Sequence, residues 1–244
     1  MKTTGNNDFD LPSDLFLNLL QNIQHSILNI SNQVDVIKLT KNHNNLDVIK
    51  NLSQNTNHLI ENYSLMINLL QNQQELSLEP VSLAAILYDV VNNLQSLAAD
   101  YGVNLVFNNE GKFFPVLSNY VVLEVSLTSL GISLIEALPA LIVDQSRQIE
   151  LFAAIHRSKY GLVVGLYFDD QPILSQYLIN KSQKILRKSK QPLPMLSYGP
   201  ASGLFLAKNI LNFMNLNLKS SKHHNRYGVG VILPPIKQLA FINE

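Results

Sequence analysis

Histidines are the side chains best suited to nucleophilic or metal chemistry here, because the sequence contains 6 of them and no cysteine. His25 lies among apolar residues spaced at three and four, and this spacing predicts the outermost, solvent-facing position of a helix. His156 ends a predicted strand and has no histidine or carboxylate at ligand spacing. His223 and His224 are adjacent in a predicted hairpin turn, where neighbours rarely share an ion. No metal site is therefore predicted.

Acidic, glycine and basic residues offer three further sites for chemistry. Asp169 and Asp170 form the one pair of adjacent carboxylates. Gly199 and Gly203 come just before a predicted helix, where glycines either cradle phosphate oxygens or serve a tight turn and helix–sheet packing. The segment 181–190 carries 5 cations. This charge is typical of a solvated loop, or of a loop that binds an anionic ligand or an acidic partner. No hydrolase elbow, Walker-type loop or zinc motif occurs.

Two apolar seams predict the elements that carry His25. The first begins after Ser13, and turn-forming residues at 41–45 separate it from a second seam over 49–70. These seams predict an antiparallel helical hairpin, which cannot enclose its own apolar faces, so two copies are expected to pair as a dimeric four-helix bundle. The first seam consists of Phe16, Leu20, Ile23, Ile27, Ile30, Val34 and Ile37.

The remaining sequence predicts an α+β sandwich, with one mostly antiparallel sheet covered by helices on one face. An extended linker at 78–83, closed by Pro80 and the helix-capping Ser82, joins it to the hairpin. Three domains follow from this: a disordered leader at 1–12, a dimerisation hairpin at 13–76 and the α+β domain at 77–244. Helices are predicted at 82–100, 119–138 and 203–214, and strands at 103–107, 114–117, 149–156, 162–168, 216–220 and 228–233.

Composition excludes several classes of protein. The 244 residues are 46% hydrophobic and 15% charged, which is enough to build a core. A net charge of +0 gives no argument for a nucleic-acid partner. The N-terminus lacks a signal-peptide pattern, and no apolar run approaches the length of a membrane span, so a cytoplasmic location without a membrane span is expected.

The order of segments resembles the core of the sensor histidine kinases, from about Ser13 to Pro234. That family joins a dimerising, phosphoacceptor hairpin to a Bergerat-type ATP-binding domain. The most specific matches are the linker Leu76–Leu83 and the segment Ser202–Leu211, supported by Lys219–Ser221 and Gly228–Pro234.

The resemblance implies a nucleotide site whose residues differ from the family's. Ser129 and Ser133 stand where the family has asparagines that help to hold Mg²⁺, and a serine leaves the ion short of an oxygen ligand. Asp170 is available for the adenine amino group, but the glycines after it are absent, and Ala201 replaces a further glycine. Binding of ATP and Mg²⁺ is expected to be lost, so no cofactor is expected. The positions of this degenerate site are Ser129, Ser133, Asp170, Gly199, Ala201 and Gly203.

His25 stands on the helix where the family carries its phosphoacceptor histidine. The family normally has an acidic residue next, which removes the imidazole proton as the phosphoryl group arrives, whereas this chain has Ser26. Transfer from the aspartate of a receiver domain needs that acid less.

Besides a purely structural dimeric adaptor without phosphoryl chemistry, three functions remain open from the sequence. The first is a pseudokinase that works as a homodimer and binds a response-regulator receiver domain or a related kinase. The second is a histidine phosphotransferase that relays phosphoryl groups through His25. The third is a divergent active histidine kinase.

Overall fold

The computed structural model describes residues 11–40, 45–72, 77–141, 148–169 and 201–234. The chain divides into two compact units, the first comprising Met1–Gln71 with Lys188–Tyr198 and the second comprising Asn72–Arg187 with Gly199–Glu244.

The first unit contains the two predicted helices, α1 (Leu11–Thr40) and α2 (Asn45–Asn72). The side chain of Ser26 on α1 is fully buried. The predicted apolar seam runs instead through the next residue, Ile27. Ile27 is 57% exposed in the single chain, and since the predicted bundle pairs two copies, the seam at this position stays a prediction.

The second unit combines helices and strands, as the predicted α+β class requires. In chain order its described elements are β1 (Glu79–Val81), α3 (Leu83–Asp100), β2 (Val103–Asn108), β3 (Val116–Ser118), α4 (Tyr120–Leu141), β4 (Ile149–Ser158), β5 (Gly161–Phe168), α5 (Ala201–Asn212), β6 (Leu218–His223) and β7 (Arg226–Leu233).

Within the described residues, the main sheet has five strands in the order β2-β4-β5-β7-β6. The β2–β4 pair is parallel and the other three pairs are antiparallel, so the prediction of a mostly antiparallel sheet is confirmed. The predicted extended linker at 78–83 contains β1, and Glu79–Val81 pairs with Val116–Ser118 as a small antiparallel sheet. No local pattern identifies this partner, which lies more than thirty residues further along the chain.

Helix α3 begins where the sequence predicts. The Ser82 side chain accepts a hydrogen bond from the backbone N–H of Ala85 at 3.4 Å, as an N-cap does. Ile86, Leu87 and Val90 behind this cap are fully buried. The cap and the apolar periodicity together explain why the helix boundary was predictable.

One face of the main sheet packs on the helices. Leu151, Ala153 and Ile155 of β4 belong to the same apolar core as α3 and α4, whereas Phe152 and Ala154, which alternate with them, form a small cluster with Tyr167 on the opposite face. We call this opposite side the open face of the sheet.

Helix α4 is the core helix of the second unit. Among the described residues, its stretch Tyr120–Pro139 alone is long and apolar enough to cross a membrane, and 78% of that stretch is buried inside the protein. The expectation that no apolar run approaches this length is therefore too strict. Leu123, Leu127 and Leu130 account for the apolarity, since they are fully buried under the sheet.

Candidate functional site

A polar stripe runs along α4, which is otherwise apolar. Ser126, Ser129, Ser133 and Glu136 follow one another at steps of three or four and so share one face of the helix. The three serines are between 1% and 3% exposed. Ser126 Oγ donates to the carbonyl oxygen of Val122 at 2.6 Å, which satisfies its hydroxyl within the helix.

Ser129 and Ser133 lie against α5 at Gly203. A Cβ atom added to Gly203 would lie 2.4 Å from Ser133 Oγ and 2.5 Å from the carbonyl oxygen of Ser129. Both distances are far below a normal van der Waals contact, so a glycine is required for the two helices to approach this closely. The structure thus brings together three of the residues that the sequence places in the degenerate nucleotide site.

Gly203 has a role that differs from those considered from sequence. It lies inside α5 and serves a contact between two helices, whereas the sequence predicts either a phosphate cradle or a tight turn with helix–sheet packing. Ala201 is the first residue of α5. Asp170 and Gly199 lie outside the described residues, as does the basic segment 181–190.

The stripe contains two polar groups in unusual surroundings. Within the described parts of the chain, Ser133 Oγ is buried with no hydrogen-bond partner. Burial of the Glu136 carboxyl raises its pKa to about 7, because an apolar environment disfavours the charged form. Sequence reasoning missed Glu136, although a lone acid one turn beyond Ser133 in an apolar helix was a visible signal.

His25 lies on α1, the first of the two helices, as predicted. Its side chain is not among those described, so its exposure and its role as a phosphoacceptor stay predictions. The next residue, Ser26, is buried, so the position where the family normally has an acid carries an enclosed hydroxyl.

A second group of polar side chains occupies the open face of the sheet. The His156 ring stacks on His223 with 4.8 Å between centroids and 7° between planes. His156 Nε2 lies 2.9 Å from the Tyr167 hydroxyl. Ligand spacing in the sequence reveals no partner for His156, because its partners are Tyr167 of β5 and His223 of β6, the latter more than sixty residues away.

Comparison with known proteins bears on the fold. No protein-family model matches the sequence, and no curated protein is similar to it in sequence. The solved structure of the Acinetobacter baumannii histidine kinase AdeS is similar with a TM-score of 0.51 at 12% identity, over 88% of this chain and 96% of that one.

Two further structures are similar at lower scores. The first is full-length ShkA in complex with AMPPNP, with a TM-score of 0.48 at 12% identity over 77% of this chain and 38% of that one. The second is histidine kinase ThkA in complex with response regulator protein TrrA, with a TM-score of 0.47 at 13% identity over 91% of this chain and 61% of that one. The likeness to AdeS shows that this chain has the fold of a sensor histidine kinase core, with a Bergerat-type mixed α+β domain.

Proposed function

We propose that this chain is a two-component signalling protein whose nucleotide site no longer binds ATP with Mg²⁺, and that it acts as a pseudokinase by binding a response regulator or a kinase partner. The observation that carries this proposal is the contact between α4 and α5. Ser129 and Ser133, which the resemblance places at the metal-binding positions, pack against Gly203 with no space for a Cβ atom.

The chemistry of Mg²⁺ supports this assignment. The ion takes about six oxygen ligands at about 2.0–2.1 Å and is held through carboxylate or amide oxygens and phosphates. Ser133 offers one neutral hydroxyl, and the α5 backbone at Gly203 already occupies one side of it. Glu136, the next polar residue of the stripe, has a pKa of about 7, so near neutral pH much of its population is uncharged.

A binding titration tests the proposal. The full chain is titrated with ATP in the presence of Mg²⁺ by calorimetry, with EDTA in a parallel titration and an active histidine kinase core as the positive control. We expect no saturable heat and no shift in melting temperature. Micromolar binding that EDTA abolishes would contradict the proposal, and self-labelling from ATP would favour a divergent active kinase instead.

The mode of action we propose rests on homodimerisation through α1 and α2 as a four-helix bundle. Both helices expose large apolar side chains in the single chain, and these would be covered by a second copy. The exposed residues are Ile27, Leu28, Val36, Leu39, Leu46 and Ile60, with Leu39 at 85%.

A further inference from the structure

Three potential metal ligands meet although the chain segments that carry them adjoin opposite edge strands of the main sheet. Glu110 follows β2 at one edge, His223 ends β6 at the other edge, and His224 lies in the turn after β6. His224 Nε2 is 2.9 Å from Glu110 Oε2. One nitrogen from each histidine and one oxygen from the carboxylate all lie within 4.8 Å of one another.

Glycines allow the neighbouring strands β5 and β7 to approach each other closely. Gly165 of β5 and Gly230 of β7 are direct partners, and a Cβ atom on Gly165 would lie 2.7 Å from the Gly230 Cα atom. On Gly228 a Cβ atom would lie 1.9 Å from the Leu166 carbonyl oxygen. Side chains at these positions would force β5 and β7 apart, so the glycines permit the close strand approach seen on the open face.

The β6–β7 turn explains how adjacent histidines reach one site. His224 and Asn225 have φ values of 44° and 65°, the left-handed pair of a two-residue type I′ turn. In a regular strand, consecutive side chains point to opposite faces. The left-handed conformation at His224 breaks this alternation, and the two rings lie with their centroids 4.2 Å apart.

Neighbouring side chains contact two of the three groups, Glu110 and His223. Asn108 Nδ2 donates to Glu110 Oε1 at 2.8 Å. The His156 ring stacks on His223 and is itself fixed through the Tyr167 hydroxyl. Polar and stacking contacts of this kind orient the ligands of known metal sites.

We propose that Glu110, His223 and His224 bind a divalent transition-metal ion, with Zn²⁺ as the best match. Two imidazole nitrogens and a carboxylate oxygen are a donor set that Zn²⁺ uses, with a fourth position left to water. Donor atoms placed tetrahedrally at about 2.0–2.1 Å from the ion lie about 3.3 Å from one another. The three donor atoms therefore need to move closer together by about 1.5 Å or less. Glu110 and His224 are each 56% exposed, so their side chains have the freedom to make this movement.

The bound ion would connect the segment after β2 to the β6–β7 turn. These two segments lie at opposite edges of the sheet and are 114 residues apart in the chain. An ion that binds the folded state and not the unfolded state raises the melting temperature, and this gives a readout independent of any activity.

The test uses the full chain without a histidine tag. Zn²⁺ and Ni²⁺ are titrated by calorimetry, and melting temperatures are recorded with each ion and with Mg²⁺. We expect about one Zn²⁺ per chain, a rise in melting temperature with Zn²⁺, and no rise with Mg²⁺, which prefers oxygen ligands.

The variants are Glu110→Gln, His223→Gln and His224→Asn, the last chosen because asparagine tolerates a positive φ. Each is expected to weaken Zn²⁺ binding by about tenfold or more, whereas His58→Gln, at a histidine of α2 in the other unit, leaves it unchanged. Absence of saturable Zn²⁺ binding, or binding that is unchanged in the Glu110→Gln/His224→Asn double variant, would overturn the proposal.

Discussion

Glu136 is the residue at which burial and charge conflict most directly. Its carboxyl is largely removed from water, and desolvation is the cause of the rise in its pKa to about 7 from a reference value of 4.5. Because each pKa unit corresponds to about 1.4 kcal/mol, ionising Glu136 in the folded protein costs about 3 kcal/mol of stability.

The sign of the pH dependence follows from the direction of this shift. The folded-state pKa lies above the unfolded value, so stability is highest below about pH 4.5, falls as the pH rises towards 7 and then levels off. Glu136→Gln removes the ionisation, and we expect it to stabilise the protein by about 2–3 kcal/mol more at pH 8 than at pH 5. Urea denaturation at the two pH values measures the difference.

The control for this experiment is Glu79→Gln, at an exposed carboxyl of β1. It should change stability by less than about 0.5 kcal/mol at both pH values. A Glu136→Gln variant that is no more stable than wild type at pH 8 would mean that the carboxyl is solvated or paired.

At the scale of elements, the sequence predicted what depends on neighbouring residues and missed what depends on distant ones. Ser82 followed by an apolar periodicity was enough to place the start of α3, because capping and amphipathicity act within a few residues. The pairing of β1 with β3, and the approach of Glu110 to His224, depend on the path of the chain through the whole sheet. No local pattern encodes such a meeting.

The candidate site divides in the same way. The spacing of Ser129 and Ser133 was visible from the sequence, since residues four apart share a face of a helix. The contact of Gly203 with both serines was not visible from the sequence, because it depends on the packing of α4 on α5. Sequence therefore singled out Ser129, Ser133 and Gly203, and structure supplied their contact.

The α4–α5 contact predicts an unusual effect for Gly203→Ala. In most helix interiors this change stabilises by about 0.5–1 kcal/mol, because alanine has the higher helix propensity. Here the new Cβ atom would meet the Ser129 carbonyl oxygen at 2.5 Å, and a backbone atom cannot rotate away. We expect a net loss of about 2–4 kcal/mol in the free energy of unfolding, measured by chemical denaturation.

Two comparisons define the cause of that loss. Asn212→Ala, at the exposed end of the same helix, should stay within about 0.5 kcal/mol of wild type. Adding Ser133→Ala to Gly203→Ala should recover only part of the loss, because it removes the contact with Ser133 Oγ and leaves the one with the Ser129 carbonyl. If Gly203→Ala were stabilising, α4 and α5 would not be in close contact there.

At the scale of the whole molecule, the apolar side chains exposed on α1 and α2 argue for an assembly. Ile27 and Leu28 are adjacent on α1 and are 57% and 53% exposed. Exposed apolar residues that occur singly are ordinary, but these belong to a set spread along both helices of one unit. A second copy that buries them would gain about 25 cal/mol for each Å² of apolar surface removed from water.

A charge placed at Leu28 tests this assembly. We expect wild type to sediment as a dimer of twice 27.4 kDa. Leu28→Glu should shift the equilibrium towards monomer and raise the dissociation constant of the dimer at least about tenfold. The reason is that burying an unpaired carboxylate in the interface costs well over 1.4 kcal/mol. Asn92→Glu, at an exposed position of α3 in the other unit, adds the same charge and should leave the dimer intact.

Circular dichroism of Leu28→Glu distinguishes loss of assembly from loss of folding: a monomer that keeps the helical signal supports pairing through these helices. A wild-type chain that sediments as a monomer at every concentration would show that the exposed residues are not a homodimer interface.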